Sequence, residues 1–241
     1  MPVNPIQRRM ATPEEMETIE SPSQAEHAYR RLRGEILHGE LMPGERLRAA
    51  DLHTRFQLGL TPIREALMRL ASENLVEVET NRGSRVRETS RRELSDIMHS
   101  RRAIERLCME EAIAAGDANW EADILTAMHL LSRAPTPLSP QDRETARAWE
   151  ESHRHFHFSL ISACRSQWLL RFWNTLADHS ERYRKMRLLH LQAVSGTRDV
   201  NAEHADIMDA VLARDTARAT ALIDAHLQAT ESAVARFLDA D

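Results

Sequence analysis

Between residues 58 and 87 (LGLTPIREALMRLASENLVEVETNRGSRVR) the spacing of apolar residues switches from helical to alternating, and few folds accommodate that switch in so short a span. Ile63, Ala66, Leu67 and Leu70 recur at i, i+3, i+4, i+7, so one face of a helix buries while Thr61, Arg64, Glu65 and Met68 point outward. Thr61 reads as the N-cap and Pro62 as the first helical residue, where proline's fixed φ helps and its missing N–H costs nothing. After Asn74, residues 75–79 alternate, as do residues 84–87, with Asn81-Arg82-Gly83 between them; this predicts a hairpin with a basic tip. Upstream, residues 23–38 read as a helix with Ala28, Leu32, Ile36 and Leu37 along one side, ended by Gly39 and the turn Met42-Pro43-Gly44. Leu47 follows as a short extended residue, residues 49–56 as a second short helix, and Gly59 as the turn before the third.

Two short helices joined by a tight turn and followed by a hairpin predict a winged helix-turn-helix. Such a module can lay its second helix in the major groove of double-stranded DNA and its wing on phosphates or in the minor groove. Arg64 and Arg69 on the helix and Arg82, Arg85 and Arg87 in the wing suit phosphate or guanine contacts; the competing reading is a helical hairpin packed for structure alone. A net charge of −5 excludes a uniformly basic coat, so the distribution matters. Residues 23–90 carry 11 Lys and Arg against 10 Asp and Glu, and residues 91–241 carry 19 against 23.

The rest of the chain is of another kind. With only seven glycines in 241 residues, and long stretches rich in Ala, Leu, Glu and Arg, the fold class is mainly α. Residues 1–22, with Pro2, Pro5, Pro13 and Pro22, read as a flexible arm, residues 23–90 as the winged domain, and residues 91–241 as a separate all-helical domain. Its helices are expected near 91–115, 120–132, 141–164, 167–191, 198–213 and 216–237, and the proline-rich 134–140 as a loop between two of them. Cys108 and Cys164 fall in apolar helical patterns and read as buried free thiols suited to a reducing cytoplasm. No apolar run supports export or membrane insertion.

Three motifs in order, Gly39-Glu40-Leu41-Met42-Pro43-Gly44, then Thr61-Pro62-Ile63-Arg64-Glu65-Ala66-Leu67, then Leu75-Val76 with Gly83, resemble the winged helix-turn-helix of the GntR family of bacterial transcription regulators. The resemblance implies a homodimer on a pseudo-palindromic operator, usually a repressor, with Thr61, Pro62 and Arg64 at the DNA and Gly83 at the wing tip. One departure matters: where the family commonly has Ser-Arg before Thr-Pro, this chain has Gly59-Leu60, so an arginine that usually reads a guanine is absent.

Nine of the twelve histidines lie beyond residue 90. His153 and His157 are i, i+4 on a face shared with Trp149, Phe156, Leu160 and Ile161; His204 shares a stripe with Ile207, Met208 and Val211, and His226 one with Leu222, Ile223, Ala229 and Ala233. An i, i+4 imidazole pair can chelate one metal, and two imidazoles from other helices would complete a site; each taken alone reads instead as a core histidine satisfied by a carbonyl or carboxylate. His153-Arg154-His155-Phe156-His157, Glu203-His204 and His226 resemble the metal motif of the FCD effector domain, an all-helical bundle of about six helices that follows the wing in one large GntR subgroup. Three ligands match and the fourth, normally aspartate, is His153. Replacing a carboxylate by an imidazole softens the set, favouring Zn²⁺ or Ni²⁺ over Mn²⁺ or Mg²⁺. Without metal, the four histidines could bind a carboxylate directly as donors.

In that domain family the metal lies beneath a pocket for a small organic acid, and an arginine on the first helix pairs the carboxylate. Arg101 matches that position, with a structural pairing to Glu105 at i+4 as the alternative. The run Ser180-Glu181-Arg182-Tyr183-Arg184 offers Arg182 and Tyr183 as further candidates, against the reading of a solvated charged face. With Trp149, His153 and Ser162-Ala163-Cys164, this run looks most like the CsiR-like branch, whose effectors are dicarboxylates. The function expected is therefore a ligand-responsive regulator and not an enzyme. The alternatives are a metal-responsive regulator and a metal-dependent enzyme with Glu203 as base. No nucleophile, phosphate-cradling loop or cofactor motif supports the last.

Overall fold

In this computed structural model the described residues are 23–79, 83–135, 142–189 and 198–238. The arm, Arg82 and most of the proline-rich loop lie outside them. The first unit is organised around α1 (Gln24–Leu37) and α3 (Leu60–Ser72), with α2 (Ala49–Phe56) packed across α3. Ser23 caps α1 by accepting the Glu26 N–H at 3.1 Å. Ala28, Leu32 and Ile36 then face Ile63, Ala66, Leu67 and Leu70, all buried in one core. The start of α3 departs from expectation. Thr61 does not cap it: Gly59 is the N-cap, Leu60 the first helical residue, and the first intrahelical bond runs from Ile63 N–H to the Gly59 carbonyl at 3.2 Å. Pro62 thus occupies the last position whose N–H would have had no partner, so the helix gains a turn start at no hydrogen-bond cost.

The wing is β2 (Val76–Glu79) antiparallel to β3 (Gly83–Val86), paired from Val76↔Val86 to Glu79↔Gly83. Gly83 has φ +88°, a backbone conformation that side-chain-bearing residues rarely adopt, which is why a glycine ends the tip. A two-residue strand, β1 (Arg46–Leu47), adds to the other edge of β3, giving the order β1-β3-β2.

The second unit is a helical bundle around the 25-residue α4 (Arg91–Ala115), which packs against α6 (Arg143–Ile161), α7 (Gln167–Leu189) and α9 (Thr216–Leu238); α5 (Ala118–Arg133) and α8 (Val200–Leu212) close the other side. Its helices start on capping side chains: Ser90, Asp117, Asp142 and Asp199 accept from Glu93, Trp120, Thr145 and Ala202 respectively. α7 touches both units, because it also packs on α1. Within it, Ser180, Glu181, Arg182, Tyr183, Arg184 and Lys185 are all buried. The solvated charged face read from residues 180–184 is therefore overturned: α7 packs against α1, α4, α6 and α9, and Glu181, Arg182 and Arg184 meet Arg154, the Arg87 carbonyl and Glu150 instead of water.

Candidate functional sites

The face of α3 that turns away from the core carries Thr61, Arg64 and Met68, all exposed, with Pro62 half-buried beside them. Arg64 has no hydrogen-bond or ion-pair partner among the described residues, so its guanidinium is available to an external acceptor. Arg69 is differently placed. It donates to Glu26 at 2.7 Å and lies 3.5 Å over the Tyr29 ring, tying α3 to α1. Arg85 pairs with Glu79 across the wing at 2.7 Å and stands directly opposite the exposed Arg46 of β1. Two cations facing each other across a ladder repel, which Glu79 offsets here and a phosphate lying over both would offset further. Sequence reasoning does not reach Arg46, since a strand of two residues carries no periodicity.

His153 and His157 of α6, His204 of α8 and His226 of α9 converge in the middle of the second unit, all buried, each offering a ring nitrogen such that these atoms lie within 4.8 Å of one another. Ring centroids are 4.5 Å apart for His153 and His157 and 4.7 Å for His204 and His226. Trp149, one turn before His153, stacks on it at 4.8 Å. Acidic and basic groups behind the rings set their orientation. His157 Nδ1 lies 3.2 Å from Glu105, whose other oxygen accepts from Arg101 at 3.0 Å; His226 Nδ1 lies 2.7 Å from Glu203, which Arg198 holds with two bonds of 2.6 Å. A carboxylate facing Nδ1 assigns the proton to that nitrogen and leaves Nε2 as a lone pair directed at the other histidines.

Burial pushes all four imidazoles below their ordinary range, and their mutual proximity adds to the effect at His153 and His204. His157 falls to about 4 despite the pull of Glu105 in the other direction. Burial alone would raise Glu105 and Glu203, yet Arg101 with His157, and Arg198 with His226, bring each carboxyl down to about 2. The cluster is thus four neutral rings backed by ionised carboxylates. The Nε2 of His157 and both ring nitrogens of His204 are buried with no hydrogen-bond partner, a costly state in the absence of a ligand. Such a donor set fits a divalent ion of intermediate softness.

Of the arginines and tyrosine read as acid contacts, Arg101 stands behind the cluster, paired with Glu105 and donating to Ser180, its side chain 2% exposed. The structure does not bring Arg182 and Tyr183 to the histidines. Arg182 donates to the Arg87 carbonyl, and Tyr183 bonds to Glu93 at 2.6 Å and to Ser90, so both grip the connector between the two units. The reason is helical geometry: on α7, positions 182 and 183 face the connector while Ser180 and Arg184 face inward. Arg184 is the residue of that run at the cluster, bound to Glu150 at 2.8 Å with its guanidinium 3.5 Å from His153 Nδ1. Arg184 lies in the run that the sequence singles out, whereas Arg198 is not distinguishable in the sequence from the other arginines of the chain.

The family model "Bacterial regulatory proteins, gntR family" matches residues 24–86, and the FCD domain model matches residues 96–229. The chain belongs to the GntR family. Its FCD domain is the helical bundle that encloses the histidines. Among curated proteins, it is 38% identical to the HTH-type transcriptional repressor GlaR of Escherichia coli K12 over 83% of this chain and 90% of that one. It is 35% identical to the HTH-type regulator BphR of Paraburkholderia xenovorans LB400 over 88% and 85%. The fold is shared with E. coli McbR/YncC, with a TM-score of 0.71 at 20% identity over 88% of this chain and 97% of that one. As a GntR regulator with an FCD domain, the protein binds operator DNA through its first unit and an effector through its second, and among the described residues no helix is long and apolar enough to cross a membrane.

Proposed function

We propose that this GntR regulator is a homodimeric repressor, released from its operator by a small carboxylic acid, of the dicarboxylate class, bound at a metal held by His153, His157, His204 and His226. The observation that carries the reading is the convergence of four buried neutral imidazoles, three of whose nitrogens have no partner. Zn²⁺ suits an all-nitrogen set best and Ni²⁺ next. When bound, the ion supplies a Lewis-acid position for one carboxylate of the effector. Glu105 and Glu203 keep the His157 and His226 rings turned toward it, and Arg184 and Arg198 supply positive charge at the rim, Arg198 being the partly exposed one.

At the other end, Thr61, Pro62 and Arg64 present the recognition surface, Gly83 shapes the wing that carries Arg85, with Arg82 just before it in sequence, and Arg69 positions α3 against α1. α7 joins the two sites. Ser180 and Arg184 contact the groups behind the histidines, Asp178 pairs with Arg33 of α1 and with Arg154 beside His153, and His179 bonds the Glu73 carbonyl at the end of α3 at 3.0 Å. A shift of α7 by a fraction of a turn therefore reorients the DNA-reading unit, and half-sites about 34 Å apart tolerate little such error.

A second reading makes the ion itself the signal. Dialysis against a weak chelator separates the two: a resident cofactor stays bound, an exchangeable signal is lost. The test of the main reading is metal analysis of the purified protein beside His204→Ala and His226→Ala, with a thermal-shift screen of organic acids. Loss of metal in both variants and stabilisation by a dicarboxylate are expected; stoichiometric metal retained in both would remove the ligand set.

A further inference from the structure

A small, partly open cavity lies at the seam between the two units, away from the histidines, lined by His38 and Glu40 after α1, by Arg143, Ala146 and Arg147 in the first turns of α6, and by Lys185 of α7. Lys185 is only 7% exposed, yet among the described residues its ammonium makes no hydrogen bond or ion pair. Glu150 and Glu181, the nearest carboxylates on its other side, are committed to Arg184 and Arg154. A lysine whose stem is buried and whose ammonium finds no acceptor in the protein is completed by water or by an anion.

The rest of the lining points the same way. Arg143 has no partner among the described residues, Arg147 pairs only with the exposed Glu151, and the lining sets Lys185 and these two arginines against one carboxylate, Glu40. The first turns of the 19-residue α6, whose N-terminus is capped by Asp142, line the same space. Lys185 and Arg147 add to burial in holding His38 in its neutral form, as expected where cations cluster without a counter-ion. The cavity measures about 30 Å³, and a water centre occupies roughly 10–15 Å³, so the space takes a small ion and not a large metabolite.

We propose that this seam binds a small oxyanion of the phosphate class, with Lys185 as the buried anchor and Arg143 and Arg147 closing over it. Bound there, the ion ties the end of α1 to α6 and α7, so it adds a second ligand control over the junction between the DNA-reading and FCD units, independent of the acid at the histidines.

The test is thermal unfolding of the full-length, metal-loaded protein in sodium phosphate against sodium chloride at equal ionic strength, for the native protein, Lys185→Met, Lys185→Arg and Arg64→Ala. Phosphate should raise the Tm of the native protein with the logarithm of its concentration, and glycerol phosphate should do so less because the cavity is small. Lys185→Met removes a buried unpaired charge, so it should fold and be at least as stable as the native protein in chloride. Its phosphate midpoint should move at least about tenfold higher, the scale of one charge-assisted hydrogen bond, while Lys185→Arg and Arg64→Ala keep the response. No phosphate effect on the native protein overturns the proposal. An equal effect on Lys185→Met places the ion elsewhere, on the DNA-reading face if Arg64→Ala abolishes it, and overturns the proposal too. Metal content in every variant stays unchanged, which separates this result from the histidine reading.

Discussion

Glu105 stands between the histidine cluster and the body of the FCD domain, and its replacement by Gln is the most informative single perturbation. The carboxylate is fully buried, accepts from Arg101 at 3.0 Å and holds His157 Nδ1 at 3.2 Å. Glutamine keeps the shape and one acceptor but removes the charge. Arg101 is then left with the Ser180 hydroxyl and faces the repulsion of nearby Arg184, without the carboxylate that now offsets its burial. Removing one partner of a buried pair typically costs about 3–5 kcal/mol; the retained amide oxygen places Glu105→Gln near the lower end, about 3 kcal/mol. Against total stabilities of roughly 5–15 kcal/mol this is a large fraction, readable as a lower urea midpoint in chelator. The same change frees the His157 ring, and loss of such an outer partner commonly weakens metal binding by about 10–100-fold. Competition against a chromophoric zinc chelator measures this directly. A variant that loses stability but binds zinc as the native protein does would refute the claim that Glu105 orients His157 for a ligand.

Three further outcomes follow from the geometry. Arg64→Ala should weaken operator binding by about 1–3 kcal/mol with the urea midpoint unchanged, because the exposed side chain makes no hydrogen bond or ion pair among the described residues; unchanged affinity in a gel-shift titration would remove it from the recognition surface. Since burial depresses His157 to about 4 in the folded state, the metal-free protein should hold its full stability above the unfolded value near 6.5 and lose it as pH falls from there toward 4; for this residue the loss is on the order of 3 kcal/mol, measured by urea unfolding across that window. Asp178→Asn removes the carboxylate shared by Arg33 and Arg154, so DNA binding without effector and metal content should persist while the response to an acid is blunted; an undiminished response would exclude this path.

Much of this was legible because burial leaves a periodic mark. The stripes on α1 and α3 and the i, i+4 pair His153 and His157 announce a shared face, and His204 and His226 sit in stripes of their own. Three kinds of feature left no such mark. Strand β1 is two residues long and exists only because β3 offers an open edge. Residues 180–184 look like a solvated run, since Glu and Arg are buried only when elements far off in sequence supply partners, here Arg154, Glu150, Arg101 and the connector. The start of α3 shifted because proline is tolerated at any of the first helical positions, so Thr-Pro marks a helix start only to within a residue or two.

The central claim, that an acid bound at the histidines controls DNA binding, is tested most directly by titrating an operator complex with the organic acid that most stabilises the protein, for the native protein beside His204→Ala. His204 is fully buried with both ring nitrogens unpartnered, so its loss empties the site without touching the recognition surface. The account predicts equal operator affinity without acid, release of the native protein as acid is added, and no release of His204→Ala over the same range. Release of His204→Ala at the native concentration of acid would contradict it.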